Sequence, residues 1–204
     1  MSRSRRSATA GSGSILTRDA RVALRPLTED DLAAVEAWYD EAVAASMGMP
    51  ASDASRLVGR GPGLDRGWAG ALPYGIQKRM EAAAADPDAG LLAIVRQSDG
   101  TVIGLLDYRA NNPDRGWLTM GFIAVASGQR GWGYGSEAVW LMEAEAVQKW
   151  EAQRFRANVD ARNGLGLYFW LRLGYRPTSP DDASWAGGAQ SGIMPMMRTP
   201  GGRR

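Results

Sequence analysis

Residues Trp117 to Ser136 read WLTMGFIAVASGQRGWGYGS: a strand-like run, a turn, and a glycine-spaced loop that opens straight into a helix. Within it, Arg130-Gly131-Trp132-Gly133-Tyr134-Gly135 has the pattern R-x-x-G-x-G. Glycines at every second position let the backbone curl without Cβ obstruction and bring successive N–H groups to one side. The helix that follows adds its unpaired N-terminal donors and the positive end of its dipole. Arg130 adds a full charge beside them. Such a stretch suits a phosphate-bearing ligand.

Two common phosphate sites fit it poorly. A nucleotide P-loop needs Lys followed by Ser or Thr after its last glycine, and Ser136-Glu137 stands there instead. The dinucleotide fingerprint G-x-G-x-x-A does match Gly133 to Ala138, but it requires a βαβ unit whose strand feeds the first glycine. Here three strand-like runs, near residues 91–98, 101–109 and 117–126, come first with no helix between them. Their connections are short enough only for antiparallel pairing. A dinucleotide-dependent oxidoreductase is therefore the weakest functional reading.

A second informative stretch lies downstream. Phe155-Arg156-Ala157-Asn158-Val159 reads as a strand, and NGLGLYFWLRLGY follows from Asn163 to Tyr175. The two stretches, in this order and separation, resemble the acyl-CoA-binding motif of the GNAT superfamily of N-acetyltransferases and its next motif: an Asn, a short helix and a terminal Leu-Gly-aromatic. The resemblance runs through the element order of residues 21–198. It implies an α/β (α+β) fold: a single GNAT-like domain with a central, mostly antiparallel mixed sheet, a splayed parallel strand pair, and flanking helices. Residues 1–20 then form a flexible basic tail and 199–204 a short second tail.

Composition narrows the chemistry. At 204 residues the chain supports one substantial core rather than two domains. Its 45% apolar and 23% charged content is ordinary for a soluble globular protein, and a net charge of +2 gives no electrostatic footprint for nucleic acid. The sequence has no Cys and no His. Disulfides, thiolate nucleophiles, Ser-His-Asp triads and Cys- or His-based metal centres are thereby excluded from this chain, and no metal is expected. Proton transfer must use carboxylates, Tyr, Lys, backbone or water. No apolar run approaches the roughly 20 residues of a membrane helix, and the cytoplasm is the default location.

The remaining segments fall into place around these motifs. Residues 1–14, MSRSRRSATAGSGS, lack the amphipathic apolar face of a transit peptide and read as a flexible tail. Val22 to Leu27 is a first strand, and Thr28-Glu29-Asp30-Asp31 supplies an N-cap and acidic first turn for a helix to about Ala45. Residues 46–75 are irregular and rich in Gly and Pro, readable equally as a floppy surface insertion or as a functional loop; the superfamily commonly builds its acceptor site in this region, and on the functional reading Trp68 and Tyr74 line it. A helix from Ile76 to Ala85 stops at Asp86-Pro87. Strands Leu91–Gln97 and Thr101–Arg109 are joined by a hairpin turn at Ser98-Asp99-Gly100. Asn111 to Arg115 turns the chain into the central strand Trp117–Val125. The helix after the glycine loop runs to Trp150 with Val139, Met142, Ala146 and Trp150 on one apolar face. A strand near Tyr175, a loop through Gly187-Gly188 and a strand from Ile193 to Arg198 close the chain. Pro195 argues against that last strand being central, since it has no donor for the ladder.

The resemblance implies acetyl transfer from acetyl-CoA, as co-substrate, to a primary amine by direct attack in a ternary complex. It assigns pantetheine pairing to Ile123, Ala124 and Val125. Pyrophosphate binding falls to Arg130 and the amides of Gly131, Trp132, Gly133, Tyr134, Gly135 and Ser136. Asn163 is a further cofactor contact by the same resemblance, and equally readable as a helix N-cap. A strand N–H near Val125 would polarise the thioester carbonyl as charge develops there.

The chain departs from the superfamily at the acid. Trp170 occupies the position where many members carry a Tyr that protonates the departing thiolate, and indole N–H is far too weak an acid for that. Tyr168 sits two residues back, on another side of the helix. For the base, the central strand holds no carboxylate; Asp107 is the nearest candidate and Asp160 the next, each also readable as a solvated strand-end group. The alternative function is a catalytically weak or silent acyl-CoA-binding or sensing domain. The acceptor is a small-molecule or protein amine, and a homodimer stays open.

Overall fold

The computed structural model describes residues 20–46, 74–178 and 193–200. The N-terminal tail, Trp68 and nearly all of the 46–75 segment, the Gly187-Gly188 loop and the last four residues lie outside the described residues, as does the side chain of Tyr74. Among the described residues, seven strands and four α-helices follow one another: β1 (Val22–Pro26), α1 (Leu32–Ser46), α2 (Tyr74–Ala85), β2 (Ala89–Arg96), β3 (Val102–Ala110), β4 (Trp117–Val125), α3 (Tyr134–Trp150), β5 (Arg154–Asp160), α4 (Gly164–Arg172), β6 (Arg176–Pro177) and β7 (Ile193–Arg198). They build one sheet in the order β1-β2-β3-β4-β5-β7-β6, with β4 and β5 its parallel neighbours and every other pair antiparallel. The mixed α/β architecture matches the expectation from sequence.

Successive strand residues point to opposite faces, so nearly continuous apolar runs let the sheet bury both. Leu92, Ile94, Leu106, Tyr108, Leu118 and Met120 join Val139, Met142 and Ala146 of α3 and Trp170 of α4 in one core. Leu91, Ala93 and Leu105 join Val35 and Tyr39 of α1 and Ile76 of α2 in the other. The apolar face read into α3 is thus the buried one, with Trp150 half-buried at its end.

The start of α1 shows why its acids matter. The helix read from Thr28 begins with a 3-10 turn at Glu29–Asp31 before α1 proper. The Asp31 carboxylate accepts from the Thr28 amide at 2.9 Å and from both terminal nitrogens of Arg25, at 2.6 and 2.7 Å. The Arg25 guanidinium and the Thr28 N–H hold its pKa down at about 2.

Pro195 does lie in a central strand, since β7 sits between β5 and β6. Its carbonyl accepts from the Thr178 amide at 3.1 Å. A strand residue directs its N–H and C=O to the same edge, so the missing donor faces Thr178, the first residue past β6. The ladder to β5, in which Pro195 opposes Asn158, loses nothing.

Two irregularities shape the middle of the sheet. The register between β3 and β4 steps between Asp107 and Tyr108, where Asp107 opposes Phe122, Tyr108 opposes Met120, and Gly121 has no partner. This bulge reverses the alternation of β4, so Met120 and Ile123 face one core while Phe122 faces the other. On the opposite edge, β4 and β5 pair over only four residue pairs, from Trp117 with Arg154 to Met120 with Ala157. Both strands then continue, β4 to Val125 and β5 to Asp160, and β5 stays paired with β7 throughout. The parallel pair has parted.

Candidate functional site

The Ala126 amide donates to the Ile103 carbonyl at 2.9 Å, and Ala124 opposes Leu105 in the same antiparallel ladder. Because alternate residues of a strand turn their peptide groups to opposite edges, Ala124 is tied to β3 while Ile123 and Val125 turn theirs toward the gap left by β5. The three residues singled out for pantetheine pairing therefore divide two to one. The Val125 carbonyl, at the end of the strand, accepts from Arg130 Nε at 2.9 Å. Arg130 thus anchors the loop to the strand that feeds it.

The loop has the curl its glycines suggest. Gly131 and Gly133 have φ of 81° and 84°, a left-handed conformation that L side chains rarely adopt. Gly133 is the N-cap of α3, so Tyr134, Gly135 and Ser136 form its first turn, where amides have no intrahelical acceptor. A Cβ on Gly135 would lie 3.5 Å from both Val125 and Phe169, so this turn packs between the end of β4 and α4. Trp132 projects from the loop with 66% of its surface exposed. The amides of Gly131 to Ser136, Arg130 and the gap-side backbone of Ile123 and Val125 are hence adjacent. Asn163 serves as the N-cap of α4, its Oδ1 accepting from the Gly166 amide at 2.8 Å.

One contributor was invisible from either motif. Arg21, just before β1, donates from Nη1 to the Trp132 carbonyl at 2.9 Å and from Nε to Glu137 of α3 at 2.9 Å. Nothing in the sequence signals this, because the partners lie more than a hundred residues apart.

The acid and base positions are now concrete. Trp170 is buried, its ring centroid 4.7 Å from that of Tyr175 and 5.2 Å from that of Phe169, both edge-on. Tyr168 is 59% exposed, with Arg172 over its ring. Asp107 is not the solvated strand-end group that a bland reading would make it: it is buried, opposite Phe122, and paired with Arg79 of α2. The Arg79 guanidinium also lies 5.3 Å from the centre of the Phe122 ring, which meets Tyr39 of α1 edge-on. Burial pushes the Asp107 pKa up to about 6, against the opposing pull of Arg79 and Arg109. Asp160, at the end of β5, is instead bound by Arg162 at 2.8 Å and held below the usual carboxylate range. Arg79 is the second residue that sequence reasoning missed. Gly121 could have signalled the bulge beside Asp107, since a glycine inside a strand marks one, but nothing in the sequence points to Arg79.

No group of three or more acidic residues is gathered as a metal site among the described residues. No helix there is long and apolar enough to cross a membrane. A surface cleft lined by Trp117, Trp150, Glu151 and Arg154 lies at the opposite end of β4, where the strands are still paired, and plays no part in this arrangement.

Comparison with known proteins bears on the same features. Residues 21–176 match the family model of the acetyltransferase (GNAT) domain. An acetyltransferase from Thermus thermophilus is 18% identical with a TM-score of 0.57, over 92% of this chain and 99% of that one. The PaiA N-acetyltransferase of Thermoplasma acidophilum, solved with coenzyme A, is 14% identical with a TM-score of 0.62, over 87% and 98%. A ribosomal-protein-S5-alanine acetyltransferase from Vibrio fischeri is 13% identical with a TM-score of 0.59, over 94% and 100%. No curated protein matches in sequence. At such identities the solved structures speak for the fold alone. The family match, spanning everything from Arg21 through the glycine loop to β6, says more: the chain belongs to the GNAT acetyltransferase family.

Proposed function

We propose that the protein moves an acetyl group from acetyl-CoA to a primary amine by direct attack in a ternary complex. One observation carries the reading: β4 and β5 stop pairing after Met120 and Ala157 although both strands run on. Parting exposes peptide groups that would otherwise be satisfied across the sheet, and an amide-bearing ligand arm is the natural partner for them. The residues fit such a ligand, with Ile123 and Val125 facing the arm and the Gly131–Ser136 amides with Arg130 facing its phosphates.

When bound, acetyl-CoA supplies an acyl thioester whose thiolate is a fair leaving group near neutral pH. The acceptor ammonium must first lose a proton. Asp107 takes it: the group stands beside the first residue of β4 past the bulge, and a pKa of about 6 keeps it ionised yet basic at neutral pH. The amine nitrogen then bonds the carbonyl carbon as the carbon–sulfur bond breaks, and a gap-side strand N–H stabilises the charge that develops on oxygen. Water carries the second proton, which the nitrogen sheds as it becomes an amide, to the departing thiolate, since Trp170 offers only an indole packed against Phe169 and Tyr175.

A second reading has its own support. Arg79 already neutralises Asp107, and Trp170 replaces the acid, as a silent acyl-CoA-binding domain would allow. A thiol-release assay with acetyl-CoA against small-molecule amines, free amino acids and peptide N-termini separates the two. Release above background with one class supports the transferase; acetyl-CoA binding with no release from any class supports the binding domain. Absence of acetyl-CoA binding sinks both.

A further inference from the structure

Glu137 raises a difficulty for the site proposed above. It lies in the first turn of α3, where a carboxylate is favourable to the helix but competes with an anionic ligand for the same field. Arg21 removes that conflict. Its main-chain N–H and its Nε donate to the two Glu137 oxygens, its Nη2 adds an ion pair at 2.9 Å, and the Val22 amide adds a longer bond at 3.3 Å. The carboxylate is drawn onto the start of β1.

The same side chain grips the loop. Arg21 Nη1 holds the Trp132 carbonyl, which lies between the two left-handed glycines, Gly131 and Gly133. In a trans peptide plane the carbonyl and the following N–H point in opposite directions. Fixing the Trp132 carbonyl toward Arg21 therefore turns the Gly133 N–H away from β1. The guanidinium also lies 5.2 Å from the centre of the Tyr134 ring, and its Nη2 is 3.3 Å from where a Cβ on Gly133 would stand. Glycine loops are conformationally free, and an anion site gains affinity when its donors are held in place beforehand.

We propose that Arg21, from outside both sequence motifs, is a positioning residue of the acyl-CoA site: it orients the glycine-loop amides and neutralises Glu137 beside the ligand's phosphates. This rests on the function proposed above. A residue that merely fastened β1 to α3 would affect stability alone, so the test uses ligands with and without phosphate. Dissociation constants are measured for CoA and for pantetheine with wild type, Arg21→Ala, Arg21→Lys and the Arg21→Ala/Glu137→Gln double variant, below every variant's melting transition.

Loss of charge-assisted bonds at this level corresponds to about a tenfold weaker CoA affinity for Arg21→Ala, with pantetheine affinity unmoved. Adding Glu137→Gln restores several-fold of that loss, because the uncompensated carboxylate is gone. Arg21→Lys, which keeps the charge but cannot span Glu137 and the Trp132 carbonyl, falls between and serves alone should the alanine variant not fold. Equal CoA affinity in wild type and Arg21→Lys or Arg21→Ala overturns the inference, as does an equal loss for pantetheine or no recovery in the double variant. Failure of wild type itself to bind CoA overturns the proposed function and this inference together, so the two failures are told apart.

Discussion

Asp107 of β3 faces Phe122 of β4 at the step where Gly121 goes unpaired, so a buried carboxylate stands two residues past the last pair that β4 makes with β5. Its proton affinity is set by a contest. Burial raises the pKa to about 6 and Arg79 works against it. A base of that pKa gives a rate that climbs about tenfold per pH unit below 6 and levels above it. Asp107→Asn is expected to lower kcat by roughly a hundredfold or more with acetyl-CoA binding retained. Thiol release followed from pH 5 to 8 checks both, and a flat profile would count against the assignment. The stability sign is the reverse of the usual carboxylate case: folded Asp107 holds its proton more tightly than the unfolded chain does. Its contribution favours folding below about 4 and is lost as pH rises through about 6.

The glycine loop invites a charge test that separates electrostatics from backbone strain. Gly133 has φ of 84°, so any side chain there meets strain. Asp and Asn tolerate that conformation better than other residues and share one shape. Gly133→Asn should keep most acetyl-CoA binding, whereas Gly133→Asp should weaken it several-fold, because its Cβ stands 3.3 Å from Arg21 Nη2 and the new carboxylate both competes for that guanidinium and adds negative charge at the N-terminus of α3. Titration calorimetry on the pair measures the difference; equal affinities would mean that charge beside Arg21 at the start of α3 is not felt by the ligand.

Much of this layout was legible because its signals are local. Glycine spacing at residues 131–135 reports a curled loop, and the short turn at Ser98-Asp99-Gly100 reports the antiparallel pairing of β2 with β3. What stayed hidden was long-range pairing. Arg79 meets Asp107, Arg21 meets Glu137 and Arg198 meets Glu143, and no pattern in one chain announces which arginine finds which acid. Pro195 misled for a related reason. Its missing donor disqualifies a central strand only if it falls in the ladder that ties the strand into the sheet; here it faces Thr178, just past the end of β6, and not β5.

Gly104 fixes how closely β3 and β4 approach beside the gap. A Cβ there would come within 2.6 Å of the Ala124 carbonyl oxygen, a backbone atom that cannot step aside. Gly104→Ala should destabilise by roughly 1–3 kcal/mol through forced separation of the strands. Gly128→Ala, where a Cβ meets nothing within 4 Å, is the control expected to be neutral. Urea unfolding of the two variants checks the contrast, and equal midpoints would mean that the strands yield more easily than their packing suggests.

The terminal aromatic of the second motif has an unexpected partner. Tyr175 is fully buried and donates its hydroxyl to Glu143 Oε1 at 2.8 Å, while Arg198 of β7 reaches Glu143 Oε2 at 2.6 Å. Glu143 lies on the buried side of α3, so this charge has left water and depends on its partners. Arg198→Met strands the carboxylate and should cost about 3–5 kcal/mol, whereas Tyr175→Phe, which removes one hydroxyl donor, should cost about 1–3 kcal/mol. The informative variant is the double one. If the penalty comes from an uncompensated buried charge and not from lost packing, Arg198→Met with Glu143→Leu should be markedly more stable than Arg198→Met alone. Chemical denaturation of the three variants decides it: a double variant no more stable than the single one would mean that the pair holds α3 against β7 by shape, and that its charges are incidental.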